Sequence, residues 1–362
     1  MRRIMKLLLV GYLHGHGGVQ NHTLWLGRSL AARGHAVTVA TPGPIGAEPY
    51  DLPEESDIRI VNVDRIGQVL RGYPTGTPEA FDCAVVVGTG WKSMLGPLLN
   101  RRIRKRVFFE VMSGARNGRI DPRMLVHRGY DAVVGQGRPV EAMFRQSFGW
   151  NGPSVTIPAL SDPLELVANL TLPPKPTPAP GTLKACYFGR LAPHKGLGWL
   201  IERWDTAGQD IATLDIWGSG AQETELSAMI AERGLGERIR LRGRFPGGAD
   251  YAALLQTYDI EVLPTYGAEG APLVLLEAMA CGVPFVANGV GGIPDYTNVD
   301  CRITSGNLDE FLPALRSLAN ALYAGEIDHA RLQRHYLEHF SYKALCDRWE
   351  AFLLELVGEK RA

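Results

Sequence analysis

The chain has 362 residues, too many for one ordinary hydrophobic core and suited to two domains. Hydrophobic residues make up 45% and charged residues 21%, which excludes extended disorder and fibrous repeats. Its 38 Lys and Arg cancel its 38 Asp and Glu, so no global charge argues for a nucleic-acid partner. Residues 1–6, ahead of the apolar 7–10, have the look of a leader. The apolar stretch is short, however, and Gly11, Tyr12 and His14 follow without a small-residue cleavage site. A buried first strand is therefore expected. Further apolar runs lie at 36–40, 58–63, 83–87, 107–111, 132–134 and 155–157. Several carry β-branched residues in succession, as strands buried on both faces of a parallel sheet do. Between the first two, Val19, Thr23, Leu26 and Leu30 recur at helical spacing and stop at Arg33-Gly34. Strand, helix, strand is the βαβ unit, and its repetition predicts an α/β, doubly wound Rossmann-like domain over residues 1–170.

The proline-rich stretch 172–181 can continue neither a helix nor a ladder, and a linker is expected over 171–182. The alternation then restarts across a second doubly wound domain, 183–340. Strands are expected at 184–188, 211–217, 238–241, 260–263 and 284–287, and helices from 196, at 223–233 and at 273–281. A last helix within 341–362 carries Leu345, Trp349, Phe352 and Leu356 on one face. Two such domains predict a ligand cleft between them, at the carboxyl ends of the strands. The five cysteines are far apart, with no C-x-x-C or zinc spacing. Free thiols in a reducing, cytoplasmic setting follow, with no metal or cofactor site expected. No stretch approaches the ~20 apolar residues of a membrane span.

Two constellations carry chemistry. Gly189 to Gly196 closes a strand with a glycine and offers Arg190 and Lys195 near the start of a helix. Cations beside a helix N-terminus point to a shared anionic ligand, or else to a solvated basic loop. From Glu269 to Pro284, a loop with Gly270 and Ala271 leads through Pro272 and Leu273 into a helix. Pro272 suits the first helical turn, where its missing N–H is no loss. Glu277 falls on a face shared with Leu273, Leu276 and Ala280, where a carboxylate needs a partner. A sugar diol would serve, as would a neighbouring Arg; a surface position is the other reading. Gly218 with Gly220, Gly291 with Gly292, and Gly15 to Gly18 are further glycine turns. The last is a candidate anion cradle between the first strand and helix.

These segments resemble the family 4 retaining glycosyltransferases of the GT-B fold. The resemblance runs through 17–39, 131–144, 155–162, 189–196, 216–220, 241–245, 262–287 and 291–295. It implies transfer of a hexose-type sugar from a nucleotide-diphosphate donor to a glycan, lipid-linked or small-molecule acceptor in polysaccharide or glycoconjugate assembly. A UDP-sugar stands ahead of a GDP-sugar, and the absence of a D-x-D signature favours a metal-independent reaction. By the same resemblance Arg190 and Lys195 hold the diphosphate, Glu269 faces the transferred sugar and Glu277 takes the ribose hydroxyls. Gly218, Gly243 and Arg244 line the nucleobase, with Gly189, Gly270, Ala271 and the Leu273 N–H completing the donor site. Gly17 and Gly18 approach the phosphates from the first domain, and His16 is a further sugar contact or a plain loop histidine. The last helix crosses back to the first domain. Relatives carry a His where this chain reads Met112-Ser113, and Gln20 and Asp295 each replace a Glu. A catalytically silent partner subunit and a nucleotide-sugar epimerase of the same fold are the alternatives. The basic run Arg101, Arg102, Arg104, Lys105 and Arg106 is either a solvated helix end or a docking point for an anionic cytoplasmic leaflet.

Overall fold

The structure, a computed structural model, describes residues 3–13, 17–43, 58–63, 65–72, 80–209, 211–267 and 269–358. The chain divides into two units, one made of residues 1–161 and 342–362, the other of 162–341. Unit 1 carries a seven-stranded sheet of β1 (Lys6–Val10), β2 (Ala36–Thr41), β3 (Ile58–Asn62), β4 (Phe81–Val87), β5 (Ile103–Glu110), β6 (Ala132–Gly135) and β7 (Ser154–Thr156). All pairs are parallel, in the order β3-β2-β1-β4-β5-β6-β7. Leu7 to Val10 and Val85 to Val87 are wholly buried, because helices cover both faces of the central strands. Unit 2 repeats the plan with β8 (Leu183–Phe188), β9 (Ile211–Trp217), β10 (Ile239–Gly243), β11 (Ile260–Leu263), β12 (Phe285–Ala287) and β13 (Arg302–Ile303). They run parallel in the order β10-β9-β8-β11-β12-β13. The order reverses between β1 and β4 in unit 1 and between β8 and β11 in unit 2. Such switch points are where doubly wound sheets hold ligands, beyond the strand ends.

The last helix, Tyr342–Gly358, belongs to unit 1. Trp349 is wholly buried with its ring edge-on to Phe109. Glu350 accepts hydrogen bonds from Arg33 at 2.8 Å and pairs with His35 Nε2 at 3.0 Å. His35 Nδ1 in turn accepts the Met5 N–H, so one imidazole links the helix to the residue that leads into β1.

The proline-rich stretch differs from the linker reading, for the change of unit comes earlier, at Ser161–Asp162. Residues 172–181 lie on unit 2. The Lys175 ammonium donates to the Tyr258 carbonyl, and the Gly181 N–H donates to the Tyr323 hydroxyl at 2.9 Å. Just upstream, Gln333 donates to the Leu170 carbonyl at 2.8 Å. Prolines rule out helix and ladder, but an extended segment without donors can still be fastened by its few remaining polar groups.

The basic run is also split. Arg101, Arg102 and Arg104 are exposed, whereas Lys105 and Arg106 are buried. Lys105 sits 3.5 Å from Asp131. Arg106 donates to the Pro97 and Asn100 carbonyls, each at 2.8 Å, and so satisfies the end of the helix Trp91–Leu99. These two side chains cannot meet a membrane surface.

Candidate functional site

The carboxyl edge of unit 2 is lined by glycines with positive φ. Gly189 follows β8 and Gly218 follows β9, with φ +147° and +136°. A Cβ on Gly218 would lie 1.8 Å from the Gly189 carbonyl oxygen. The Gly189 N–H donates to the Trp217 carbonyl at 3.1 Å and the Gly218 N–H to the Gly243 carbonyl at 2.6 Å. Three residues expected around a nucleotide therefore meet at the ends of three adjacent strands, with exposed Arg244 following.

Arg190 to Gly196 form the loop after β8. The Tyr187 hydroxyl donates to the Arg190 carbonyl at 2.9 Å, and Pro193–Lys195 make one turn of 3₁₀-helix. Gly196 has φ +77° and leaves only 2.1 Å between an added Cβ and the Pro264 carbonyl oxygen. The Tyr266 N–H donates to the His194 carbonyl at 2.9 Å. The loops after β8 and β11, the two strands of the switch point, are thus fastened together. Lys195 meets Glu269 in an ion pair whose side chains are 12% and 14% exposed. Arg190 is exposed, and among the described residues no hydrogen bond or ion pair holds its guanidinium. Burial, then Lys195, holds the His194 pKa below its usual value, and Arg190 adds to the effect.

Glu269 to Ala271 are held from the other side. A Cβ on Gly291 would stand 2.1 Å from the Glu269 carbonyl oxygen, and the Gly292 N–H donates to the Gly270 carbonyl at 2.5 Å. Pro272 takes an extended conformation and is the N-cap of the helix Leu273–Ala280. It stands one residue outside the first turn expected for it, because its ψ of 119° is not helical. No side chain caps this helix, so its first N–H groups, from Leu273 onward, have no intrahelical partner. Glu277 is 7% exposed and, among the described residues, makes no hydrogen bond or ion pair. Burial first, then the charge of Asp162, raises its pKa to about 8, with Tyr251 opposing the rise. The Tyr251 hydroxyl stands beside it without completing a hydrogen bond of normal geometry.

Part of this site carries no recognisable motif. Gly291 and Gly292 act as a wall behind Glu269, where only turn geometry was expected. Tyr251 lies on the helix Gly248–Gln256, which was not foreseen. Glu261, inside β11, is wholly buried with both carboxyl oxygens unpartnered. Its signal was an acidic residue within the otherwise apolar run Ile260–Leu263. Among the described residues, no group of three or more His, Cys, Asp or Glu is placed to hold a metal ion.

In unit 1, Gly17 precedes the helix Gly18–Ala32, which has neither an acidic residue in its first turn nor a side-chain cap. Gly17 and Gly18 are exposed there. His14, Gly15 and His16 lie outside the described residues. The backbone at Met112-Ser113 is held by a buried ion network. Glu110 accepts from the Met112 N–H at 2.8 Å and from Arg123 Nη1 at 3.0 Å. Arg123 also donates to the Ala115 carbonyl at 2.7 Å and is paired with Asp121 at 2.6 Å.

Residues 182–321 match the family model described as "Glycosyl transferases group 1". Over 181 residues the chain is 30% identical to the amylovoran biosynthesis glycosyltransferase AmsK of Erwinia amylovora, covering 46% of this chain and 44% of that protein. It is 31% identical over 157 residues to the GtfA subunit of the UDP-N-acetylglucosamine–peptide N-acetylglucosaminyltransferase of Streptococcus gordonii, covering 43% of this chain and 28% of that one. The aligned stretch spans less than half the length of either relative. Across 97% of this chain and 100% of the other, the fold matches a crystal structure of Anabaena HepE in complex with UDP, with a TM-score of 0.76 at 17% identity. The fold is that of the GT-B glycosyltransferases.

Proposed function

We propose that the chain is a retaining glycosyltransferase that moves a hexose-type sugar from a nucleotide-diphosphate donor, UDP-linked ahead of GDP-linked, to a glycan or lipid-linked acceptor. The observation that carries this reading is Glu277. A carboxyl is buried without a cation at the switch-point edge, one helical turn below free N–H groups and on the same segment as Glu269, which is ion-paired with Lys195 of the loop after β8. Burial of that kind is costly unless a ligand supplies the missing partner, and a ribose diol offers two donors. The match to "Glycosyl transferases group 1" over 182–321 and the UDP bound by the HepE neighbour support the same donor class.

The chemistry follows from the charges. As the bond between the sugar C1 and the diphosphate oxygen breaks, negative charge grows on the leaving group and positive charge on the sugar ring. Arg190 and Lys195 meet the first. A unit charge pair at ~4 Å is worth about 4 kcal/mol at an effective dielectric near 20, and preorganised charges need no reorientation during the reaction. Donor binding draws Lys195 from Glu269 to the diphosphate and frees the carboxylate to face the transferred sugar. The acceptor hydroxyl forms the new bond on the face the diphosphate leaves, and its proton passes to a departing phosphate oxygen. The cations of the chain then do the neutralisation that a metal would otherwise supply. Proposed placement is cytoplasmic, with an anionic leaflet touched through Arg101, Arg102 and Arg104.

A thermal-shift panel of UDP, GDP and ADP sugars tests the donor class, followed by product analysis with the stabilising donor. Stabilisation by one nucleotide series and appearance of a transferred, anomerically retained sugar is the expected result. A protein that ignores all three series is not this enzyme, and one that only interconverts the free donor is an epimerase.

A further inference from the structure

Asn288 is a wholly buried amide that no role given so far uses. It follows β12 directly, and its side chain reaches the neighbouring strand ends on both sides. Its Nδ2 donates to the Thr265 carbonyl, beyond β11, at 3.0 Å and to the Gly306 carbonyl, beyond β13, at 3.3 Å. Its Oδ1 accepts from the Thr304 hydroxyl at 2.5 Å. That hydroxyl accepts in turn from the Gly289 N–H at 3.3 Å and the Gly306 N–H at 3.4 Å. Both amide hydrogens and all of the hydroxyl's bonding capacity are therefore committed. The far end of the tie is anchored too, since Glu310 accepts from the Ser305 N–H at 2.8 Å and from its hydroxyl at 2.7 Å.

What this network holds leads straight to the candidate site. The Val290 N–H donates to the Asn288 carbonyl at 2.8 Å and folds the chain back. Gly291 then packs against the Glu269 carbonyl, and the Gly292 N–H donates to the Gly270 carbonyl at 2.5 Å. Only the turn 289–292 separates the buried amide from the backbone that carries the Glu269 carboxyl to Lys195. The amide also suits its place better than its isosteres do. Two carbonyls can only accept, so the group between them has to be an NH2, and a carboxylate would set negative oxygen against both. A leucine would fill the space and fix none of the three strand ends. A fully satisfied polar network in a core specifies one geometry while adding little net stability. The geometry specified here is that of the wall behind Glu269.

We propose that Asn288, with Thr304 as its hydroxyl partner, is a positioning residue for the transferred sugar: it holds the turn 289–292 against Glu269 and Gly270, and so fixes where the Glu269 carboxyl stands. The inference rests on the reading of Glu269 as the carboxylate that faces the sugar. In that reading the nucleotide is held by Glu277, Arg190 and Lys195, and among the described residues none of these side chains is hydrogen-bonded to Asn288 or Thr304. Loss of the network is therefore felt at the sugar and not at the nucleotide. A displacement of about 1 Å at a reacting group is enough to slow the chemistry about 10²-fold.

The test is calorimetric titration of the full-length protein with UDP, UDP-glucose, UDP-N-acetylglucosamine, GDP and GDP-mannose. The rate at which water cleaves the sugar donor bound best is then measured. Wild type is compared with Thr304→Val, Thr304→Ser, Asn288→Asp and Glu269→Gln. Thr304→Val nearly keeps the shape and loses the hydroxyl. It is expected to bind the free nucleotide within about two-fold of wild type and to lose about ten-fold in affinity for the sugar donor relative to it. Cleavage should slow about 10- to 100-fold. Thr304→Ser brings back the hydroxyl and with it both values. Asn288→Asp repeats the Thr304→Val pattern more strongly, and where it does not fold Thr304→Val decides alone. A purely structural tie would lower the melting temperature and leave the ratio of the two affinities and the cleavage rate as they are. That result, or an equal loss of nucleotide and sugar-donor binding, overturns the inference. Glu269→Gln separates the two readings. If it keeps the wild-type ratio and rate, the sugar-facing role of Glu269 falls and the inference with it. If it loses them while Thr304→Val and Asn288→Asp do not, only the inference falls.

Discussion

Two buried carboxyls near the carboxyl edges of the two sheets are handled in opposite ways. Glu110, ending β5 in unit 1, is wholly enclosed and meets the Arg123 guanidinium at 3.0 Å, with Asp121 on the far side of the same cation. Glu277 in unit 2 is buried almost as deeply and, among the described residues, meets no cation, and neither carboxyl oxygen of Glu261 in β11 has a hydrogen-bond partner. Both edges share one fold, so the difference is not architectural. A paired buried charge closes a local structure: Arg123 spans from Glu110 to the Ala115 carbonyl and fixes the segment containing Met112 and Ser113. An unpaired one leaves interaction capacity unspent. Burial pushes the pKa of both Glu110 and Glu277 up, but only Glu110 has a cation in hydrogen-bond contact to oppose it.

The comparison breaks most sharply at Arg123. Arg123→Ala strands the Glu110 and Asp121 carboxylates in the core, and loss of one partner of a buried pair costs about 3–5 kcal/mol. Urea unfolding should show that loss, while the shift in melting temperature produced by a saturating nucleotide keeps its size. A variant of unchanged stability that no longer binds nucleotide would reverse the assignment of the two edges.

Next in size are the cations of unit 2. Arg190→Ala and Lys195→Ala should each slow sugar transfer about 10²–10³-fold, as loss of one preorganised charge does elsewhere. Their stabilities should part company. Among the described residues the Arg190 side chain has no partner to lose, so its change should stay within about 0.5 kcal/mol, whereas Lys195→Ala leaves Glu269 without its cation. Turnover unaffected in both variants would remove the diphosphate role.

Glu277→Gln should weaken nucleotide binding about 10- to 100-fold, the equivalent of about 1.5–3 kcal/mol for a hydrogen bond to a charged group. Its effect on stability has the opposite sign. A carboxyl with a folded pKa of about 8 binds its proton more tightly than the unfolded chain, whose Glu titrates near ~4.3. Stability without nucleotide is therefore greatest below the unfolded value, falls as pH rises through this window, and levels off above the folded value. Glu277→Gln abolishes that slope, so the variant should be the more stable protein at pH 8.5 and the poorer binder. Melting curves across pH without nucleotide check it, and an unchanged slope would place the carboxyl in solvent.

How far all this could be read in the sequence depended on whether one residue's fate was settled by its neighbours in the chain. Val85 to Val87 announce a strand buried on both faces because nothing polar interrupts them, and the Glu269–Glu277 segment is legible because a short loop and one helix fix its geometry. The stretch 172–181 showed what it could not be, a helix or a ladder, but not the surface it lies on. That surface is made by Tyr258 and Tyr323, which are distant in sequence. Glu261 stands out in the sequence as one acid in a four-residue apolar strand, but that both its carboxyl oxygens lie buried without a partner is seen only in the fold.

The smallest effect concerns the run at 101–106, where the same contrast recurs within six residues. Lys105 and Arg106 are committed to Asp131 and to two carbonyls of a helix end, and Arg101, Arg102 and Arg104 are exposed. An anionic bilayer attracts basic groups near its surface by about 1 kcal/mol each, and only the exposed three can come that close. Co-sedimentation with vesicles containing acidic lipid should therefore weaken stepwise through R101Q, R102Q and R104Q and fade as salt is raised. The K105Q variant should bind vesicles as the wild type does, and its cost should appear in unfolding, through loss of the cation beside Asp131. Sedimentation indifferent to the three arginines would leave them a solvated turn, and sensitivity to K105Q alone would mean that the strand end opens at the membrane.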